Sequence, residues 1–352
     1  MIRSVSSSSL PWQSLTTFTA TTTLHDKVWR VVNNLGLVAA GISLYAIASR
    51  RIRQLHPAFS YAGYLILALT LRKIIAIGIG YLVYPATRFP KRTLADAETI
   101  ASENLRKEGF TIQKLTLHKS GVSYDAALIY HSSTASNGKW SLHALGNGMT
   151  MEGSMEKIST KNKLHGANTL LINGPSVGRS GGFPTRYQEG AGFEAGLQLL
   201  EQAVEATRIL LHGFSLGGGM LAEAALAHNF NTDNVKYLAI FDRTFSRLSA
   251  LIAALLGSFA TPLCSLLDVE LDTVFGAKNL KQLGIQQIII QHKDQSNPTD
   301  GVIPDSVSLA SHLEEDQTRS FFKSHEIFHN DPLPEGLEAD LDGSIRDFFT
   351  DS

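Results

Sequence analysis

One short segment of this chain, Gly213-Phe214-Ser215-Leu216-Gly217, has residue types and spacing suited to covalent chemistry. A run of β-formers, Arg208-Ile209-Leu210-Leu211-His212, precedes it, and the helix-forming stretch Met220-Leu221-Ala222-Glu223-Ala224-Ala225-Leu226 follows. Strand, sharp turn and helix in that order is the context in which G-x-S-x-G presents a nucleophile. The serine must adopt a strained backbone so that its Oγ stands above the sheet edge. Glycines at 213 and 217 remove Cβ atoms that would clash there, and the helix N-terminus favours negative charge beside the hydroxyl. Such a serine needs a base within reach, a carboxylate to hold that base in one tautomer, and backbone N–H groups aimed at the developing oxyanion.

Further segments, in chain order, resemble the α/β-hydrolase superfamily. The run from Leu170-Leu171-Ile172-Asn173-Gly174 through Gly178-Arg179-Ser180-Gly181-Gly182 looks like the superfamily's G-x-G-R-S turn. Asp300-Gly301-Val302-Ile303-Pro304 is similar to its D-x-V-[IV]-P acid loop, and His329-Asn330-Asp331 to its G-H-N-D histidine turn. The order Ser, acid, His agrees. The resemblance spans about 110–349. The apolar N-terminal region joined to this pattern is, more narrowly, similar to the chlamydial CHLPS family of predicted hydrolases.

The resemblance implies Ser215 as nucleophile, His329 as base and Asp300 as the orienting acid. Asp294 competes for the last role because it lies nearer the end of the apolar run Ile288–Ile290, with 295–299 as an insertion. His325 is the rival base, expected to pack within a strand over 321–327; His143, His212 and His292 read as structural. The oxyanion donors are expected at Leu216 and, from Leu145-Gly146-Asn147-Gly148, at Asn147 with Gly148 next. Leu145-Gly146 stands where relatives often carry His-Gly. Arg179 reads as a structural ion-pair partner and Asp242 as a supporting acid. The function implied is a serine ester hydrolase acting on an acyl or lipid-like ester or thioester. The competing reading is a catalytically inactive, membrane-tethered scaffold or effector of the same fold.

The elements that must position these residues alternate. Strands are expected over 110–117, 122–130, 140–145, 168–172, 207–212, 235–241, 286–291 and 319–327. Helices are expected over 93–109 (capped by Thr93), from 151, over 187–206, after 217 and over 335–349. This alternation predicts an α/β fold with a mostly parallel central sheet and helices on both faces. The apolar stretch 248–267 marks 246–283 as the place for a cap over Ser215.

The 352 residues are 43% hydrophobic and 18% charged with a net charge of −1, so neither a disordered chain nor nucleic-acid binding is indicated. The single cysteine, Cys264, excludes a disulfide framework. The chain has no P-loop lysine, H-E-x-x-H or EF-hand loop, and the glycines at 174–182 lack dinucleotide-site spacing, so no cofactor or metal is expected. Oligomeric state is not readable from the sequence.

Residues 1–30 read as a Ser/Thr-rich disordered leader without a cleavable signal. Two apolar lobes follow, 31–48 and 61–83, joined by a loop with Arg50, Arg51 and Arg53. They suggest a helical hairpin over 31–92 that anchors the chain to a membrane through 31–83. The insertion balance of the second lobe is near zero. Its eleven Leu, Ile and Val residues contribute about −0.3 to −0.6 kcal/mol each, against about +2.5 to +3.5 kcal/mol for each of Arg72 and Lys73. Lys27, Arg30, Arg88, Lys91 and Arg92 at the hairpin's outer ends outnumber the loop arginines, which predicts the catalytic domain on the cytoplasmic side. The hydrolase domain is expected to be complete from Thr93 onward.

Overall fold

The structure is a computed structural model that describes residues 10–22, 57–258, 261, 264 and 269–350. The first apolar lobe, 31–48, lies outside the described residues.

Nine strands form one sheet: β1 (Thr17–Thr19), β2 (Phe110–Lys119), β3 (Val122–His131), β4 (Lys139–Ala144), β5 (Asn168–Ile172), β6 (Arg208–Phe214), β7 (Lys236–Asp242), β8 (Gln286–His292) and β9 (Arg319–Ser324). Their order is β1-β2-β3-β5-β4-β6-β7-β8-β9. β3 is antiparallel to both its neighbours, and the remaining pairs are parallel. Eight helices are described: α1 (Pro57–Val83), α2 (Lys91–Lys107), α3 (Met151–Leu164), α4 (Arg186–Gln202), α5 (Leu216–Ala227), α6 (Leu248–Leu256), α7 (Thr273–Gln282) and α8 (Glu335–Thr350).

The central strands are apolar at successive residues because both sheet faces are covered. Ile209, Leu211, Ala239 and Phe241 point into one layer with α4, α5 and α7. Leu210, Leu238 and Ile240 point the other way, into a layer closed by Leu341, Ile345 and Phe349 of α8. Two-residue periodicity thus sends alternate side chains of one strand into two cores. The parallel strands β4 to β8 end together at one sheet edge, where the loops after β4, β6, β8 and β9 meet.

Several expectations are corrected. The leader is not structureless throughout: Pro11–Ser14 form a 3₁₀ turn and Thr17–Thr19 pair in parallel with Thr116–His118 of β2. Trp12 anchors this segment, with its ring edge-on to Tyr130 at 4.9 Å and to Trp140 at 5.4 Å. Buried Lys119 ties it further by donating to the Thr21 carbonyl at 2.9 Å, while pairing with Glu194 at 3.0 Å. α2 starts at Lys91 behind Pro90, not at a Thr93 cap; the proline's extended backbone sets the helix entry. Only part of 246–283 lies near the site. α6 sets Leu248 against Leu216 and Tyr84, whereas α7 is a core helix so close to α5 that a Cβ on Gly276 would lie 2.4 Å from that of Ala222.

Among the described residues, no helix is long and apolar enough to cross a membrane. α1 covers the second lobe, with Arg72 and Lys73 in its middle. Its end is tied to the catalytic core. Tyr81 Oη and Ser176 Oγ are 2.9 Å apart, and a Cβ on Gly80 would overlap the Pro184 carbonyl at 2.0 Å. A 3₁₀ turn, Pro85–Arg88, follows. Tyr84 and Ala86 thereby enter the wall of the pocket beside Leu216, so the boundary expected at 93 leaves part of the site outside the hydrolase domain.

Candidate active site

Ser215 sits between the end of β6 and the start of α5 with φ 52° and ψ −118°. For a residue with a side chain this left-handed backbone costs on the order of 1–3 kcal/mol and persists only where the surroundings impose it. They do so here. The Ser215 N–H donates to the Asp242 carbonyl at 2.8 Å, and Thr244 Oγ1 donates to the Ser215 carbonyl at 2.7 Å. A Cβ at Gly213 would stand 2.7 Å from Gly218 Cα, and one at Gly217 would stand 2.0 Å from the Ala144 carbonyl oxygen. The two glycines let the turn close and let α5 approach the loop after β4.

Ser215, His329 and Asp300 meet at the sheet edge. Ser215 Oγ lies 2.9 Å from His329 Nε2, and His329 Nδ1 lies 2.8 Å from Asp300 Oδ2. All three are buried. The two loops are also joined through the backbone, since the His329 N–H donates to the Asp300 carbonyl at 2.8 Å. Asp300 Oδ1 accepts the N–H groups of Val302 at 2.9 Å and Ile303 at 2.6 Å. Burial alone would push the Asp300 carboxyl up, but the bonds from His329, Ile303 and Val302 outweigh it and hold the carboxyl below its ordinary range.

Asp294 is not at this junction. Its carboxylate turns back on its own loop and accepts from Ser296 N–H and Oγ at 2.8 Å. His325 is exposed, because β9 ends at Ser324 and the expected strand to 327 is shorter than the apolar pattern suggested. His143 contacts Ser141 Oγ at 2.7 Å and Asn162 Nδ2 at 3.0 Å, and His292 contacts Asp305 at 3.1 Å. Arg179 pairs with Glu98 at 2.8 Å.

Leu216 and Asn147 line one pocket, together with Gly146 and Gly148. Among the described residues neither the Leu216 nor the Asn147 backbone N–H has an acceptor. Leu216 is buried and Asn147 lies exposed on the loop after β4; with no acceptor of their own, both N–H groups are available to a developing negative charge. Gly146 is required: its Cβ would stand 2.5 Å from the Phe214 ring.

Sequence reasoning missed Arg243. Its Nη1 donates to the carbonyls of Phe328 at 2.8 Å and Asp331 at 2.6 Å, on either side of His329. Its Nε and Nη2 bind both carboxylate oxygens of Asp242, at 2.8 and 3.1 Å. Burial would raise the Asp242 carboxyl, but Arg243 and His212 hold it well below its ordinary value. The pair thus clamps the histidine loop to the end of β7. An Asp-Arg dipeptide closing an otherwise apolar strand was the available signal, since such a buried pair is retained only where it is fully bonded. Arg243→Lys keeps the charge but loses the planar fork that spans both carbonyls. It is expected to lower kcat by about 10²-fold with little change in KM, because His329 loses its placement. Steady-state kinetics on one short-chain ester checks the split; an effect confined to KM would remove Arg243 from this role.

The model of the family described as Chlamydia CHLPS protein matches residues 95–350. The chain belongs to this family. No curated protein matches the chain. Among solved structures, an esterase from Pyrococcus furiosus, Pf2001, is 13% identical and aligns over 70% of the CHLPS chain and 92% of its own, with a TM-score of 0.50. An alpha-beta hydrolase from Vibrio vulnificus is 17% identical over 71% of the CHLPS chain and 85% of its own, with a TM-score of 0.49. At such identity the likeness concerns the fold. The chain has an α/β-hydrolase fold, with β1 at one edge of its sheet.

Proposed function

We propose that this protein is a serine hydrolase that cleaves an acyl ester or thioester. One observation carries the reading: the contact chain from Ser215 Oγ through His329 to Asp300, at 2.9 and 2.8 Å. His329 takes the Ser215 proton as Oγ attacks the carbonyl, and Asp300 stabilises the imidazolium that forms. The Leu216 and Asn147 N–H groups receive the oxyanion. The intermediate collapses, the leaving group departs with the proton from His329, and water repeats the sequence on the acyl-enzyme. That the Pyrococcus protein of similar fold is an esterase agrees with this chemistry. A fluorophosphonate probe tests it, since only an activated serine reacts. Wild-type protein should label at Ser215 and the Ser215→Ala variant should not. No labelling of folded wild type would leave the inactive-scaffold reading standing.

We also propose that the protein works at a lipid surface, with α1 lying in the interface. Leu69, Leu71, Ile74 and Ile75 are exposed on α1 beside Arg72 and Lys73. A helix that exposes apolar side chains next to basic ones suits the headgroup boundary. Full-length protein should pellet with anionic vesicles and stay bound in high salt, because apolar burial is not screened. Protein that remains in the supernatant would remove this reading.

A further inference from the structure

The pocket behind Leu216 and Asn147 is walled chiefly by carbon, from Leu145, Val177, Phe193, Met220 and Ala86. One carboxyl enters it. Glu189, in the first turn of α4, is 4% exposed, and its Oε2 has no hydrogen-bond partner among the described residues. An acceptor buried without a partner is costly, and neither oxygen of this carboxyl has a hydrogen bond among the described residues. Space is reserved for the carboxyl: a Cβ on Gly174 would stand 2.8 Å from Glu189 Oε2.

The surroundings define what completes it. Arg186, one turn back on α4, donates instead to Glu223 at 2.7 Å. His143, the one basic side chain in the pocket wall, is already engaged by Ser141 and Asn162, and burial and His212 disfavour its charged form. Burial pushes the Glu189 carboxyl well above its ordinary range, which favours its protonated form. It then offers one O–H donor and one carbonyl acceptor. The matching ligand atom is an uncharged oxygen. The cavity is about 50 Å³, room for only a few heavy atoms. It adjoins the candidate oxyanion amides, so it receives the acyl side of the substrate.

We propose that Glu189 determines specificity in the acyl pocket, and that the preferred acyl group is short and carries a hydroxyl or keto oxygen that hydrogen-bonds to it. This deepens the hydrolase reading and rests on it. A pocket of carbon alone discriminates weakly between isosteres, whereas a buried hydrogen-bonding group rejects the analogue that leaves it unpaired.

The test compares the butyryl and 3-hydroxybutyryl thioesters of one thiol, N-acetylcysteamine, on full-length protein. Wild type should favour the hydroxyacyl substrate by about tenfold or more in kcat/KM. Glu189→Gln, whose amide still offers a donor and an acceptor, should keep a preference. Glu189→Leu should bring the ratio towards one. A wild-type ratio of one or less overturns the proposal, as does a ratio unchanged in Glu189→Leu. A β-alanyl thioester preferred over both, with that preference lost in Glu189→Gln, overturns it too, because the side chain would then act as a charged carboxylate. If Glu189→Leu does not fold, the wild-type ratio and Glu189→Gln still decide. Fluorophosphonate labelling of the same samples separates the failures: labelled protein with a ratio of one sinks this proposal alone, and unlabelled protein sinks the hydrolase reading with it.

Discussion

Ser215→Ala is expected to lower kcat on a short acyl ester by about 10⁶-fold, near 8 kcal/mol of transition-state stabilisation. His329→Ala should cost a similar factor, and the double variant little more, because nucleophile and base act as one unit. Loss of fold does not account for this expectation. Alanine carries the same Cβ as serine, so the left-handed backbone at φ 52° is no worse for it, and the glycines that let the turn close are untouched. Among the described residues the hydroxyl's hydrogen-bond partner is His329. A companion variant separates a working serine from a passive turn residue. Ser215→Gly removes the Cβ that makes the conformation costly and should raise stability by about 1 kcal/mol, while activity is lost equally. Thermal unfolding and initial rates on the three proteins check both statements. More than a few per cent of wild-type kcat in Ser215→Ala would remove the serine from the mechanism.

What could be read before the structure follows from which contacts are local. The elbow is local: five β-formers, a Gly-x-Ser-x-Gly turn and a helix are contiguous, and β6 runs directly into α5. The buried parallel strands were legible because Ile, Leu and Val runs fully enclosed between two helical layers have few alternatives. Asp300 and His329 are 29 residues apart, and motif resemblance placed both where the two loops meet. The insertion 295–299 explains why position along the strand offered Asp294 beside Asp300. After Asp294 the chain turns on Ser296, and the Asp305 N–H reaches the Pro298 carbonyl at 2.9 Å, so Asp300 stands on the far side of an excursion.

Three features were hidden because they depend on distant partners. The roles of Arg243 and Tyr84 come from the company that the fold gives them: the carbonyls around His329 for one, and the pocket beside Leu216 for the other. β1 is three residues in a Ser/Thr-rich stretch, too short for periodicity to register. Its trace in the sequence was Trp12 and Phe18, aromatic anchors in a segment otherwise without apolar pattern, with threonines that favour strands.

The two aspartates near β8 give the second large effect. Asp300→Asn should lower kcat by about 10⁴-fold, and the geometry gives the cause. Oδ1 of Asp300 is fixed by two backbone donors, Val302 and Ile303, so an asparagine at 300 must keep its carbonyl oxygen there. Its amide NH₂ then occupies the position of Oδ2, 2.8 Å from His329 Nδ1. A donor facing Nδ1 requires that nitrogen to be unprotonated. The ring proton moves to Nε2, which can no longer accept the Ser215 proton, and the imidazolium loses its counter-charge. KM should change little, since Asp300 is not among the residues that line the pocket with Leu216 and Asn147. Asp294→Asn alters a half-buried loop carboxylate bonded to Ser296 and should change kcat by no more than about twofold. Acid stability supplies a second readout. Because the folded state depresses the Asp300 carboxyl, its contribution is full above the unfolded value of about 3.9 and is lost as pH falls through the lower native value. Asp300→Asn should remove that part of the acid sensitivity. Rates at neutral pH and acid-unfolding curves for the two variants make the comparison. Should Asp294→Asn prove the crippling change, the contact with His329 is not the one used in catalysis, and the loop must rearrange before the acid takes its place.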